Sequence, residues 1–361
     1  MLARNVSTAL LILCCWAVLV QFGGCGDEHS RLAKEDAGIG GQATTTTSGT
    51  TGGAGGGGGS TAAGGKGGDP EPSGPTTVTV VNGVVDEDAV RLCFMTYPGG
   101  TGAEPWPASG GLGFARPGRI DPITPTVPAG SDVQVYVIGG DLTQTTGQTC
   151  AEVLAAGGSA DAGAALRIRS AGVVPAGVFE SERSLLVALY GCAGAPGHEH
   201  ASAESICGSG YAPTTGNVAM AVGFLSRQVH PSRVGMQFVH ASGGTPSCYL
   251  RVAPGIDGAV ADMAANGWSL GAIAPYPPYW RYARTALGTV NEATLELSIE
   301  LATVADRTSF ADALANSTLE EGDLVDGLGF TFVMVGAAPT IPPQSGDWWH
   351  GLSYTVVPSS P

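Results

Sequence analysis

Length, composition and charge limit the kinds of protein that this chain can be. It has 361 residues, of which 57 are glycine, and a formal net charge of -15 with an isoelectric point near 4.6. The length allows about two domains, and an acidic chain with only 16 Lys and Arg residues repels phosphate backbones, which excludes nucleic acid as an expected partner.

The chain opens with a pattern typical of export. Arg4 supplies a positive charge, and residues 9–20 (ALLILCCWAVLV) form an apolar run that is shorter than the ~20 residues a bilayer span needs. Residues 22–24 (Phe-Gly-Gly) ahead of Cys25 resemble the lipobox of bacterial lipoproteins, with Phe where Leu is usual. The resemblance implies that residues 1–24 are a signal peptide and that Cys25 carries lipid, including a fatty acyl chain such as palmitate. The alternative is an ordinary secretory signal with a chance cysteine.

A low-complexity segment follows the cysteine. Residues 25–75 are rich in Gly, Ser and Thr and show no apolar periodicity, and chains of this kind behave as flexible coils that reach roughly 5–6 Å × √n. We interpret the segment as a tether between a membrane-bound lipid anchor and a folded body. Gly26 rather than Asp follows Cys25, which by the sorting rule of the lipoprotein class implies the outer membrane or cell surface of a Gram-negative bacterium.

The rest of the chain reads as β-strands. Short runs rich in branched and aromatic residues alternate with Gly and Pro, a pattern that indicates an all-β fold, and we favour antiparallel β-sandwich domains of immunoglobulin-like type. The predicted strands are 78–85, 90–94, 133–138, 185–190, 218–225, 236–240, 248–252, 293–301, 330–335 and 352–357. Helices are expected only at 150–156, 308–315 and 260–266.

The order of these strands repeats. Each half begins with a strand, a turn of small residues and a second strand, and each ends with an apolar strand, a loop and a last strand. We therefore predict two related domains, 76–229 and 234–361. Residues 227–233 between them lack apolar alternation, so we expect each half to have its own core and few contacts to cross between them.

Three segments resemble a known family. Residues 236–252 (MQFVHASGGTPSCYLRV), 124–130 (TPTVPAG) and 319–336 (LEEGDLVDGLGFTFVMVG) are similar to signatures of the bacterial surface domains called Domain of Unknown Function 4397. Gly243 and Gly244 stand where that family has Pro-Asp. The resemblance implies an exported, β-rich protein with no established activity.

The cysteines beyond the anchor suggest two disulfides, which an exported protein can form. Cys192 follows one predicted strand and Cys207 precedes the next, so a bridge between them would close a loop and contribute roughly 3 kcal/mol in the chain-entropy model. Cys93 with Cys150 is the natural second pair. Cys248 is then left over, and we expect it to be a small buried hydrophobic residue.

Histidines are the candidates for a metal site or a general base. His198 and His200 alternate along one extended segment, and Glu204 is the only further ligand nearby, whereas a zinc site usually needs a third or fourth ligand. A solvated loop that carries two histidines by chance is the alternative. His240 lies in a segment of the family resemblance, and we expect it to hydrogen-bond a turn, because a general base needs a partner that the sequence does not show.

Acidic and aromatic clusters also have two interpretations. The run Asp86-Glu87-Asp88 attracts calcium or forms a solvated turn, and its spacing favours the turn because a dedicated calcium loop needs twelve residues. Aromatic side chains in loops either stack on a sugar or peptide, or pack over the end of a sandwich. The aromatic candidates for ligand binding are Tyr279, Trp280, Trp348 and Trp349.

The sequence therefore predicts a non-enzymatic, lipid-anchored surface protein for binding, adhesion or envelope structure. We expect no cofactor, and the predicted partners are the membrane and a surface glycan or protein ligand. The alternative is an envelope hydrolase or metal-dependent enzyme that uses His240 or the His198/His200 pair. No reaction is indicated by a Gly-x-Ser-x-Gly elbow or a phosphate-binding loop, since the sequence has neither.

Overall fold

A computed structural model gives the structure of a large part of the chain. It describes residues 73–100, 102–157, 165–227, 233–253, 261–262, 269–274, 280–283, 294–300, 303–323, 325 and 328–359. The predicted signal peptide, Cys25, most of the predicted tether and Tyr279 lie outside these residues. Among the described residues, no helix has the length and apolar character needed to cross a bilayer.

Eight strands of the first half (76–229) form two four-stranded sheets. They pair in the orders β4-β1-β7-β8 and β3-β2-β5-β6. The strands are β1 Thr77–Val81, β2 Ala89–Tyr97, β3 Leu112–Gly113, β4 Pro117–Ile120, β5 Asp132–Gly140, β6 Leu166–Val174, β7 Ser184–Tyr190 and β8 Ala219–Leu225.

The second half (234–361) repeats this arrangement. Its sheets have the orders β12-β9-β16-β17, with β13 also paired to β9, and β11-β10-β14-β15. The strands are β9 Arg233–Ala241, β10 Tyr249–Ala253, β11 Ala261–Asp262, β12 Ile273–Ala274, β13 Trp280–Ala283, β14 Thr294–Glu300, β15 Thr303–Ser309, β16 Gly329–Val335 and β17 Ser353–Pro358. The β1-β7-β8 order of the first half thus recurs as β9-β16-β17, and β2-β5-β6 recurs as β10-β14-β15.

The all-β prediction is confirmed, with one difference in pairing. In each half the first strand pairs in parallel with a late strand, β1 with β7 and β9 with β16, while the other pairs are antiparallel. A parallel pair needs a long crossover, and the strands of the other sheet supply it. The sequence pattern shows where strands are but not the direction in which distant strands pair, so the purely antiparallel prediction misses this feature.

Two of the three described α-helices lie close to where the pattern predicts them, and the helix at Ala203–Cys207 was not predicted. The described helices are α1 Cys150–Gly157, α2 Ala203–Cys207 and α3 Phe310–Ala315. Helix α3 begins two residues later than predicted because the Ser309 hydroxyl accepts the backbone N–H of Asp312 and so acts as its cap. The helix predicted at 260–266 is wrong at Ala261 and Asp262, which form β11, and the rest of that segment lies outside the described residues.

Each half has a separate apolar core, as expected. Side chains from both sheets of the first half share one buried cluster, which includes Val78 of β1 and Leu92 of β2. Side chains from both sheets of the second half share another, which includes Phe238 of β9, Leu297 of β14 and Phe332 of β16. Helix α3 contributes the buried side chains of Phe310 and Leu314 to the second core.

A third apolar cluster joins the two halves. Strand β7 is buried on both faces: Leu185, Val187 and Leu189 face the first core, whereas Leu186 and Ala188 face the second half. We call this third cluster the seam. Its buried residues are Val81, Ala115, Leu186, Ala188, Ala221 and Leu225 from the first half, and Val239, Ala241, Val333, Val335 and Val357 from the second.

The seam changes the expected relation between the halves. All described residues belong to one compact unit, and the expectation that few contacts cross between the halves is wrong. The linking segment gave no sign of this, because the contact is made by the outer faces of two sheets rather than by the link. The domain boundaries 76–229 and 234–361 themselves stay a prediction.

Candidate functional site

Both predicted disulfides are present. The Cα atoms of Cys93 and Cys150 are 5.5 Å apart, and those of Cys192 and Cys207 are 5.3 Å apart. The Cys93–Cys150 bridge holds α1 against the face of β2 that points away from the first core. Cys248 forms no disulfide with another described cysteine and is fully buried. Burial raises the pKa of its thiol to about 12, so it stays protonated at neutral pH.

Several candidate residues, among them His198, His200, Trp348 and Trp349, meet at one end of the strands. The acidic turn 86–88 follows β1, the loop closed by Cys192–Cys207 follows β7, and the loop that carries Trp348 follows β16. The described structure begins at Ser73, at the opposite end of β1. A five-residue strand is about 16 Å long, so these loops are separated from that starting point by at least the length of β1.

The Asp86 carboxylate organises this end of the first half. It is 6% exposed and accepts backbone N–H groups of Ala193 at 2.6 Å and of Gly194 at 2.8 Å. The Nδ1 atom of His198 lies 3.0 Å from its second oxygen. Because a carboxylate can only accept, this geometry places a proton on Nδ1 of His198, and in the neutral ring Nε2 is then the lone-pair nitrogen.

Glu87 and Asp88 also have partners inside the chain. Glu87 is 3% exposed and forms a bidentate pair with Arg167, with N–O distances of 2.5 Å and 2.6 Å. Burial raises the pKa of Glu87, and the hydrogen bond and charge of Arg167 act in the opposite direction. Asp88 is exposed and lies 3.1 Å from Nε2 of His350. The solvated-turn interpretation is therefore wrong for Asp86 and Glu87, whose partners are distant in sequence.

Histidine and aromatic rings from the two halves pack together near Asp86. The His198 ring stacks on Trp348 with centroids 4.5 Å apart and planes 3° apart. His200 lies 5.0 Å from Trp349, and Tyr211 lies 6.3 Å from Trp348. We call His198, His200, Tyr211, Trp348 and Trp349 the aromatic–histidine cluster. Neither half contains all of it, since the tryptophans belong to the second half and the other rings to the first.

The tryptophans of this cluster differ in accessibility. Trp349 is 7% exposed and packs into a buried cluster with the Cys192–Cys207 bridge, whereas Trp348 is partly exposed. The Tyr211 hydroxyl donates to the His198 carbonyl at 3.1 Å, and burial, with the charges of Asp86 and Glu199, raises the pKa of Tyr211 to about 12. Tyr211 therefore remains a neutral donor. Trp280 lies on β13 and Tyr279 outside the described residues.

The two candidate histidines do not form a matched pair of metal ligands. The Nδ1 atom of His200 accepts the backbone N–H of Ser202 at 3.0 Å, which in the neutral ring places the proton on Nε2, the reverse of His198. Over the described part of the chain, no group of three or more His, Cys, Asp or Glu residues is placed to hold a metal ion. Glu204 lies in α2, away from a shared ligand set.

His240 has a structural environment. It is fully buried, its Nδ1 atom accepts the Ser242 N–H at 3.4 Å, and its Nε2 atom lies 3.3 Å from the Pro246 carbonyl. Burial lowers the pKa of His240 to about 4, against smaller opposing effects of backbone hydrogen bonds. Both ring nitrogens thus serve the loop that connects β9 to β10, as the turn-bonding interpretation expects.

The sequence missed several members of this region. Phe114 stacks on His350 with centroids 4.2 Å apart, and Tyr211 and Arg167 were not candidates at all. The acidic triplet at 86–88 was the one available signal, because three adjacent carboxylates in a β-rich chain either face solvent or need specific partners. Nothing local to the sequence identified those partners.

Comparison with known proteins assigns neither a family nor a function to this chain. No protein-family model matches the chain, and no match is found among curated proteins. The similarity to Domain of Unknown Function 4397 stays an expectation that rests on the three short segments.

Proposed function

We propose that this protein is an exported, lipid-anchored and non-enzymatic binding module of the bacterial surface. Export is supported by the two disulfides, which are compatible with an oxidising compartment. Anchoring at the outer membrane rests on the lipobox-like residues before Cys25 and on Gly26 after it. A binding role is supported by the aromatic–histidine cluster, in which the partly exposed Trp348 ring lies beside histidine side chains.

One observation carries the location of the binding surface. The aromatic–histidine cluster is built from loops of both halves, and it lies across the length of β1 from the residue where the described structure begins. A folded body on a tether presents this end away from its attachment point. The partly exposed Trp348, the exposed His200 and the nearby Glu199 combine an aromatic ring with polar groups, which suits a sugar or a peptide as ligand.

The binding proposal is tested with an array of glycans and cell-wall polymers and the purified mature protein. We expect at least one polymer to be retained, and Trp348→Ala to weaken its binding about tenfold, since buried aromatic anchors carry most of the energy of such contacts. Tyr97→Ala is the matched control, because Tyr97 is 50% exposed at the other end of β2. Equal losses in both variants, or no retained polymer, would contradict the proposal.

Anchoring has its own prediction. We expect Cys25→Ala to move the protein from the membrane fraction to soluble material, because the lipid on that cysteine is the proposed source of membrane affinity. Metabolic labelling with a fatty acid analogue measures the modification directly. An unlabelled wild-type protein, or a variant that remains in the membrane fraction, would remove the anchor from the proposal.

An envelope hydrolase is the second candidate, and the Asp86–His198 pair favours it. A buried carboxylate on Nδ1 orients an imidazole and leaves Nε2 to accept a proton, as in a general base. The proposal of a binding module predicts no turnover of ester, peptide or glycoside substrates. Turnover that is lost in His198→Ala and retained in His200→Ala would favour the hydrolase instead.

A further inference from the structure

The loop closed by Cys192–Cys207 belongs to the first half but packs against the second. Its two cysteines share a buried apolar cluster with Val85, Ile206, Ala337 and Trp349. Ala337 and Trp349 lie in the loop between β16 and β17 of the second half. The bridge is therefore part of a contact between the halves, and this contact is separate from the sheet faces of the seam.

Backbone contacts hold this loop close to the second half. The Ser205 carbonyl in α2 accepts the backbone N–H of Ala338 at 2.8 Å. A Cβ atom at Gly244 would overlap that carbonyl oxygen, and a Cβ atom at Gly208 would lie only 2.7 Å from the carbonyl oxygen of Gly243. Only glycine leaves room for the loop at these positions.

Ring contacts on the same loop complete the attachment. His198 stacks on Trp348, and His200 packs beside Trp349. Asp86 fixes the start of the loop through the N–H groups of Ala193 and Gly194. The loop thus has one end tied to the first half and its outer part placed on the second.

We propose that the Cys192–Cys207 bridge fastens the first half to the second, so that the loop it closes acts as an intramolecular strap. The loop, closed by cysteines fifteen positions apart, has less conformational entropy to lose when α2 and the histidines dock on the loop 336–352. Opening the bridge raises that entropic cost and releases the strap. This inference goes beyond the proposed function, because it concerns how the halves stay joined and requires no ligand.

Amide hydrogen exchange of the full chain, measured by mass spectrometry, tests the strap. In Cys192→Ser/Cys207→Ser we expect residues 337–351 of the second half to exchange about a hundredfold faster, because the Ala338 amide loses its acceptor on Ser205. The core strand β16 should keep its protection. The matched control is Cys93→Ser/Cys150→Ser, which should accelerate exchange in α1 and leave residues 337–351 unchanged.

A second variant covers the case in which the double substitution unfolds the chain. His198→Ala keeps the bridge and removes the ring that stacks on Trp348, and it should also accelerate exchange around Trp348 and Trp349. Unchanged exchange in residues 337–351 of either folded variant would overturn the proposal. Equal acceleration of that segment in the Cys93→Ser/Cys150→Ser control would do the same, because the effect would then be one of general stability.

Discussion

Asp86→Ala should lower the free energy of unfolding by about 3–5 kcal/mol, the range for leaving partners of a buried charge uncompensated. The substitution removes the acceptor of two buried backbone N–H groups, on Ala193 and Gly194, and of the His198 ring. Water does not easily take over the role of the lost acceptor, because the Asp86 side chain is fully buried. Denaturant unfolding monitored by circular dichroism measures the change.

Asp88 provides the control two residues away in the same turn. Its side chain is 99% exposed, and its contact with His350 is at the surface, where ion pairs contribute little. Asp88→Ala should leave the unfolding midpoint unchanged within error. Similar losses for the two variants would show that the turn is sensitive to any substitution, and that the hydrogen bonds of Asp86 are not the cause.

Acidification should destabilise the fold through His240. Burial holds its pKa at about 4 in the folded state, below the ordinary value near 6.5, so the unfolded chain takes up this proton at a higher pH than the folded chain. The contribution is fully present above pH 6.5 and is lost as the pH falls towards 4. The loss amounts to about 3 kcal/mol for this one residue.

The variant His240→Gln isolates this effect from the titration of other groups. Glutamine keeps a donor and an acceptor but does not titrate. The unfolding free energy of the wild type minus that of the variant should therefore fall as the pH is lowered from 6.5 to 4. Unfolding curves at several pH values in that interval measure the difference. Parallel pH profiles for the two proteins would contradict a buried neutral His240.

The strands were predictable because their signal is local. Residues 133–138 (VQVYVI) are mostly branched apolar residues, a local pattern that predicts a strand, and the structure places them in β5 (Asp132–Gly140). Strand β6 was missed because Arg167 and Arg169 interrupt its apolar pattern. Those arginines are placed by distant partners, Glu87 for Arg167 and the Ala193 carbonyl for Arg169. Local periodicity cannot show that a charged side chain has its partner in a distant part of the chain.

The strands of the seam carry a signal in the sequence, namely apolar runs that do not alternate with polar residues. Strand β7 reads SLLVALY, and β16 reads GFTFVMV, so both are nearly continuous apolar runs rather than alternating ones. Such runs are typical of strands buried on both faces. The pattern therefore indicates a covered outer face, although it does not identify what covers it.

The sequence by itself determined most of the β-strands, the pairing of Cys192 with Cys207 across one loop, and the glycines that the strap requires. Each of these depends on neighbours along the chain or on the size of a single residue. Only the tertiary structure decided that Asp86 binds the loop near His198, that His198 stacks on Trp348, and that the halves share a buried face. These contacts join residues more than a hundred positions apart, and their energy depends on desolvation and geometry that exist only after the sheets have packed.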